Sequence, residues 1–140
     1  MSATAALRAA LVWLLIMAGE SVFGTIRTLF VEPPLGPDLA RQIAFPVALA
    51  WIFGATFLSI RWIGANGVHA LLAIGLAWAA LTFAFESALG RLVFDFTWAQ
   101  VLADYDLTKG RLMALGLVLM ALAPLIAARL RGLALIPPAP

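Results

Sequence analysis

The chain has 140 residues and a net charge of +2, and it is 64% hydrophobic and only 11% charged. Soluble domains carry about 25% charged residues and about 45 to 50% apolar ones, so this composition excludes a soluble fold. The basic residues are scattered singly and form no clustered basic face, which excludes nucleic acid as a partner. The composition predicts an all-α, polytopic protein whose solvent is the lipid bilayer.

Few residues in the chain suit catalysis, metal binding or cofactor attachment. The absence of Cys excludes disulfides and thiolate sites, and the lone His69 cannot form a histidine cluster within one chain. Ser21 and Ser87 directly follow Glu20 and Glu86, but adjacent helix residues point about 100° apart, so neither Glu can serve its neighbour as a base. We expect no metal site, no cofactor and no enzymatic activity.

Four apolar segments are long enough to cross a membrane, since about 20 helical residues span a hydrocarbon core roughly 30 Å thick. The first segment stops before Pro33 and Pro34, which remove backbone donors. A turn at Asn66 and Gly67 separates the second from the third. Within one domain, 1–140, the predicted spans are about 5–31, 38–63, 68–96 and 109–131, followed by a disordered tail, 132–140.

The loop between the third and fourth spans contains a short helical pattern. Thr97 and Gln100 fit a capping box. The next residues place an apolar stripe at i, i+3, i+4 and i+7, formed by Trp98, Val101, Leu102 and Tyr105. The pattern predicts a short interfacial helix lying on the membrane. An ordinary capped loop helix is the alternative.

The two halves of the sequence resemble each other. Glu20 corresponds to Glu86, and Gly24 corresponds to Gly90 at the same offset. The internal repeat predicts two tandem hairpins that share one orientation and are related by a pseudo-two-fold axis along the membrane normal. A chance alignment of small and apolar residues is the alternative to a true duplication.

Basic residues indicate the orientation in the membrane. The face that carries both termini holds four arginines, Arg8, Arg61, Arg129 and Arg131. The positive-inside rule counts such residues. The opposite face holds three basic residues, Arg41, Lys109 and Arg111, or five if Arg27 and Arg91 reach it. Since we expect Arg27 and Arg91 to pair with the buried carboxylates, the count places both termini in the cytoplasm, and we expect the membrane to be a bacterial inner membrane.

Charged residues lie inside two of the apolar spans. On the first, Glu20 and Arg27 share a face at i and i+7, and a carboxylate at the bilayer centre costs roughly 2.5 to 3.5 kcal/mol without a partner. On the third, Glu86 precedes Arg91, which lies four residues before Asp95 and can pair with it along the helix. We predict a charge network of these five residues, either as an intramembrane ion-pair network or as an ion or proton site.

Small residues beside these charges are candidate helix contacts. Gly24 and Gly90 lie one turn beyond the two intramembrane Glu residues, and small residues let membrane helices approach closely. With Ser21 and Ser87 they form the predicted contact surface between the first and third spans.

Two classes of function fit this pattern. The first is a non-catalytic subunit or scaffold component of a membrane assembly, in which the charge network fixes helix packing. The second is a small homo-oligomeric, proton-coupled transporter or channel that uses Glu20 and Glu86. The partners are accordingly other copies or other membrane subunits, with a small-molecule or ion substrate in the second case.

The stretch Gly19-Glu20-Ser21-Val22-Phe23-Gly24-Thr25 resembles the first helix of small multidrug resistance transporters. In that family a membrane Glu precedes a nearby Gly-Thr and binds either a drug cation or protons. The resemblance implies that Glu20 is the coupling carboxylate. The four short helices and the basic pI of the chain fit the same family.

Overall fold

The computed structural model describes residues 2–103, 105–106 and 112–133, and these residues fold into helices joined by short turns. Two five-residue π-helical turns, Arg27–Val31 and Leu89–Val93, extend the first and fourth α-helices. Within the described residues the α-helices are α1 (Ala3–Ile26), α2 (Glu32–Leu35), α3 (Pro37–Ile63), α4 (Val68–Ala88), α5 (Trp98–Ala103) and α6 (Met113–Leu130). Four helical runs are long and apolar enough to cross a membrane, so the predicted all-α fold with four candidate spans is confirmed.

The first helical run is longer than the sequence predicts. Ser2 caps α1 by accepting a hydrogen bond from the Ala5 amide at 3.0 Å. After the π turn, Pro33 and Pro34 do not end the helix. They lie in the first turn of α2, where a backbone N–H would have no intrahelical acceptor, so its absence in proline costs nothing. The helical conformation therefore continues to Leu35 and ends at Gly36, whose φ of 84° is left-handed.

The third span ends earlier than predicted, at Val93 instead of Phe96. The Phe94 amide donates to the Leu89 carbonyl at 3.2 Å, which closes the π turn. Asp95 then adopts a φ of 55°, and a left-handed residue cannot continue a right-handed helix. The predicted start of the fourth span near residue 109 and the tail after residue 133 lie outside the described residues.

The short helix α5 follows directly and begins with the capping box. The Gln100 amide donates to Thr97 Oγ1 at 3.2 Å, and the Thr97 amide donates to Gln100 Oε1 at 2.8 Å. Both amides would otherwise lack a helical partner. The helix is therefore defined by its own local sequence, whatever surface it lies on.

The four long helices pack unevenly. α1 packs along α3, α4 packs along α6, and α3 also packs along α6, whereas α1 and α4 meet over a shorter stretch. The closest approach is at Gly75, where a Cβ atom would overlap the Ala121 carbonyl of α6. Fully buried side chains such as Ile16, Ile60 and Trp78 fill the interior between these helices.

Three tryptophans fasten α1 to its neighbours by hydrogen bonds. Trp78 Nε1 donates to the Ala9 carbonyl at 3.0 Å, and Trp51 Nε1 donates to the Ile16 carbonyl at 3.1 Å. Trp13 on α1 donates to Thr82 Oγ1 of α4 at 3.0 Å. A buried indole N–H needs an acceptor, so these bonds fix both the position and the rotation of α1.

Arginines gather at one end of the bundle, which we call the arginine end. Arg8 Nη1 donates to the Trp62 carbonyl at 2.7 Å, Arg61 Nη2 to the Arg131 carbonyl at 3.0 Å, and Arg131 Nη1 to the Phe57 carbonyl at 2.8 Å. The carbonyls of Trp62 and Arg131 are at the ends of α3 and α6, where carbonyls lack intrahelical donors and carry partial negative charge. These bonds place the start of α1 and the ends of α3 and α6 at the same end.

Candidate functional site

Glu20 continues the face of α1 that points into the bundle. Trp13 and Met17 lie on this face and contact Thr82 of α4, the latter with Sδ 3.9 Å from the hydroxyl. Glu20 follows Met17 after less than one turn and is partly buried. Its Oε1 atom is fully buried and has no hydrogen-bond partner among the described residues. Such an unsatisfied oxygen is costly, so it marks the candidate site.

Glu86 occupies the matching position on α4. It lies one turn after Thr82, whose hydroxyl lies 3.2 Å from Met120 Sδ of α6. Glu20 and Glu86 are close enough to repel each other electrostatically, and Arg27 is close enough to attract Glu20. The structure therefore places the two predicted carboxylates, one on α1 and one on α4, within electrostatic range of each other. We call Glu20 and Glu86 the carboxylate pair.

Arg27 is oriented along its own chain. Its Nε lies 3.6 Å from Oε1 of Glu32, an ion pair that is too long for a hydrogen bond. The π turn explains this orientation, because the Glu32 amide donates to the Arg27 carbonyl five residues earlier and stacks one residue over the other. The predicted Glu/Arg network is not seen in the part of the chain that the structure describes.

Arg91 and Asp95 are also separated by the end of a helix. Arg91 Nη1 donates to the Phe96 carbonyl at 3.0 Å, and its guanidinium lies 5.2 Å from the Trp98 ring centre. Asp95 is exposed on a left-handed backbone. The i to i+4 geometry needed for the predicted pair requires a continuous α-helix, which the π turn interrupts.

The predicted contact residues lie in different surroundings. A Cβ atom at Gly24 would meet no atom within 4 Å among the described residues, whereas one at Gly90 would lie 3.1 Å from Val101. Ser21 is exposed, and its carbonyl accepts a hydrogen bond from the Thr25 hydroxyl. Ser87 is buried, and its hydroxyl has no partner among the described residues. Gly90 therefore packs against α5 and not against α1.

The apolar stripe of α5 divides between two environments. Val101 is buried against the end of α4, and the Tyr105 ring lies 5.3 Å from the Phe83 ring. Trp98 and Leu102 are 54% and 52% exposed. One side of α5 therefore covers α4, and the other presents apolar groups outward.

Sequence reasoning missed the role of Gly19, which precedes Glu20. The Trp51 indole of α3 occupies the space that a Cβ atom at Gly19 would need. The same indole meets the Phe23 ring edge-on at 5.8 Å. An aromatic pair on the α3 side therefore packs against the backbone directly before Glu20, and the sequence signal for it was a glycine directly before an intramembrane Glu.

No known protein family, curated protein or solved structure matches the chain. The composition and the four candidate spans are those of a small integral membrane protein. Among the described residues no group of three or more His, Cys, Asp or Glu side chains could hold a metal ion. The carboxylate pair, with the buried Oε1 atom of Glu20 that lacks a hydrogen-bond partner among the described residues, is the candidate functional site.

Proposed function

We propose that the protein binds a proton or a cation at the carboxylate pair and uses this binding to drive transport across the membrane. The observation that supports the proposal is the buried Oε1 atom of Glu20, which has no hydrogen-bond partner among the described residues. A carboxylate that serves only to fix helix packing is expected to have its partners in place. Glu20 instead has a second carboxylate, Glu86, in electrostatic range.

The electrostatics favour a positively charged ligand. An acidic residue at the bilayer centre costs roughly 2.5 to 3.5 kcal/mol, and the mutual repulsion of Glu20 and Glu86 adds to that cost. Binding a proton or a cation removes part of both costs. The ion pair of Arg27 with Glu32 divides its charge between two acids, so Arg27 compensates Glu20 incompletely.

The aromatic surroundings favour an organic cation among the candidate ligands. Trp51 and Phe23 pack edge-on against each other beside Gly19, the residue before Glu20, and Trp13 meets Phe85, the residue before Glu86, edge-on at 6.4 Å. Ring faces attract cations most strongly when water is excluded. This chemistry agrees with the resemblance to small multidrug resistance transporters.

The proposal can be tested with tetraphenylphosphonium, a lipophilic cation. Binding to the purified protein in detergent is measured by calorimetry in buffers of different ionisation enthalpy, which also counts the protons released. We expect binding with proton release, and loss of both with Glu20→Gln. Glu86→Gln should weaken binding. In proteoliposomes, the same variants should abolish proton-driven uptake.

Asp95→Asn provides the matched control. It removes an exposed carboxylate outside the bundle interior, and Asn tolerates the left-handed backbone at this position. We expect it to bind like the parent protein. If Glu20→Gln binds the cation with unchanged affinity, the carboxylate pair is not the ligand site and the proposal is wrong.

A non-catalytic subunit of a membrane assembly is the second candidate function. It is favoured by the close backbone packing of α4 on α6 at Gly75 and Ala121, which makes a rigid helix pair without any use of the carboxylates. Native mass spectrometry of protein extracted gently from its own membrane distinguishes the two. Stoichiometric foreign chains support a subunit, whereas a small homo-oligomer supports transport.

The finer architecture belongs to the same proposal. α1 with α3 and α4 with α6 would be the two tandem hairpins, since each first helix carries an intramembrane Glu and ends in a π turn. The arginine end would face the cytoplasm, as the positive-inside rule requires. The exposed Trp98 and Leu102 would rest α5 on the opposite membrane surface.

A further inference from the structure

An apolar groove runs along the outer surface between α3 and α6. It has a volume of about 450 Å³, and its lining is almost wholly apolar. Its lining residues are Phe53, Gly54, Phe57, Leu58, Ala127 and Leu130. Gly54 leaves it open, because a Cβ atom there would meet no atom within 4 Å among the described residues.

Two arginines stand at the end of this groove. Phe57 contributes its ring to the lining, while its carbonyl accepts the 2.8 Å hydrogen bond from Arg131 Nη1. The Arg131 guanidinium also lies 5.1 Å from the centre of the Phe57 ring. Arg61, one turn after Phe57, donates to the Arg131 carbonyl. Each guanidinium has five N–H donors, so both keep donors for an anion.

The described charged residues at this end are all basic. Arg129 is exposed in the last turn of α6, two residues before Arg131. Every acidic residue that the structure describes lies in or beyond the other half of the bundle, from Glu20 on α1 to Asp106 after α5. An apolar groove that ends at unopposed guanidinium groups fits a ligand with a hydrocarbon chain and an anionic head.

We propose that this groove binds an anionic phospholipid, with an acyl chain along α3 and α6 and the phosphate at Arg61 and Arg131. Arginine forks match phosphate oxygens in bidentate geometry. A second copy is a poorer occupant, because an interface about a two-fold axis sets each patch against itself and would place the arginines of both copies together.

The experiment is native mass spectrometry of the full chain in detergent, titrated with phosphatidylglycerol and, separately, phosphatidylcholine of the same acyl chains. A basic residue near an anionic membrane surface contributes about fivefold in affinity, so two predict a preference on the order of 20-fold for phosphatidylglycerol. Arg61→Gln with Arg131→Gln should abolish this preference. The corresponding pair of Lys substitutions should retain most of it, which separates charge from folding.

The groove is tested with Gly54→Leu. The added side chain enters open space, so the fold is kept, but it fills the groove and should release both lipids. Gly24→Leu is its matched control, because Gly24 is equally open but lies on α1. Arg8→Gln is the control for charge, since Arg8 packs on Trp62 at the same end, away from the groove. Both controls should retain the lipid preference.

Three results would overturn the proposal. The first is equal retention of the two lipids by the parent protein. The second is unchanged phosphatidylglycerol binding by Gly54→Leu. The third is a shift from dimer to monomer with Gly54→Leu while lipid retention is unchanged, which would make the groove an interface between copies.

Discussion

Substitution of Gly75 by Ala should destabilise the protein, although the same change at a helical glycine with free space, such as Gly116, should stabilise it. A Cβ atom at Gly75 would overlap the backbone carbonyl of Ala121 on α6. Backbone cannot rotate away as a flexible side chain can, so α4 and α6 must separate along their most extensive contact. Overpacking of this kind costs about 1 to 3 kcal/mol, sometimes more.

The gain from Ala in a helix offsets part of this cost. Replacing Gly by Ala in a helix interior stabilises by about 0.5 to 1 kcal/mol. The net expected loss at Gly75 is therefore centred on about 1 kcal/mol of unfolding free energy, with an upper end of about 2.5 kcal/mol. Gly116→Ala on α6 is the matched control, since its Cβ would lie 3.6 Å from Phe45, an ordinary van der Waals contact. This variant should be stabilised by about 0.5 to 1 kcal/mol.

Unfolding in mixed micelles, titrated with dodecyl sulfate and followed by tryptophan fluorescence, measures both variants against the parent. The informative quantity is the difference between two chemically identical substitutions, which cancels general effects of Ala in detergent. Equal stability of Gly75→Ala and Gly116→Ala would refute the close approach of α4 and α6 at this position.

Three further predictions follow from the local contacts. Trp78→Phe should lower the unfolding free energy by about 1 to 2 kcal/mol in the same assay, because it removes a buried interhelical hydrogen bond, whereas exposed Trp98→Phe should change it by less than about 0.5 kcal/mol. Thr97→Ala should speed amide exchange in α5 about fivefold, because a lost N-cap costs about 1 kcal/mol, and unchanged exchange would deny the capping box a role. By hydrogen exchange in detergent, residues 5–17 of α1 should be protected more strongly than residues 20–31, because the buried side chains of α1 all precede residue 18, and equal protection would contradict this.

Local signals in the sequence predicted most of the helix boundaries. The second span, predicted as 38–63, is α3 at Pro37–Ile63, because Pro favours a first turn and Gly64, with a φ of 76°, supplies the left-handed residue that ends the helix. Thr97 and Gln100 likewise define the start of α5 by contacts that span only three residues. Both boundaries are determined by residues that are close in sequence, so they can be predicted from the sequence alone.

The π turns could not be predicted in this way. The residue before the first, Ile26, has ordinary helical angles of −58° and −45°, and the change is one hydrogen bond that skips an extra residue. That small change turns Arg27 toward Glu32, and the corresponding change after α4 separates Arg91 from Asp95. The predicted charge network assumed a strict α-helical period at positions where the period shifts.

Close contacts between distant helices could not be predicted from the sequence either. Gly24 and Gly75 are both glycines in apolar helices, yet only a Cβ atom at Gly75 meets the backbone of another helix. Which glycine makes the contact depends on how two distant helices cross. That Glu20 and Glu86 lie within electrostatic range, in contrast, was predictable, because both hold the same motif position on helices that run in the same direction.

The bundle is tightly joined at one end and less so at the other, and this difference connects its structure to the proposed function. Toward the arginine end, the Trp78 indole donates to the Ala9 carbonyl, and arginine side chains donate to the carbonyls of Trp62 and Arg131 at the ends of α3 and α6. Beyond Met17, α1 has no buried residue, and its π turn replaces the regular helical hydrogen bonds. A ligand that enters between α1 and α4 at the proposed carboxylate-pair site would therefore displace the less constrained second half of α1, while the arginine end stays fixed. Glu20 lies at the boundary between the two regions, so under the proposed function the gain or loss of a positive charge there would act on the less constrained part of α1.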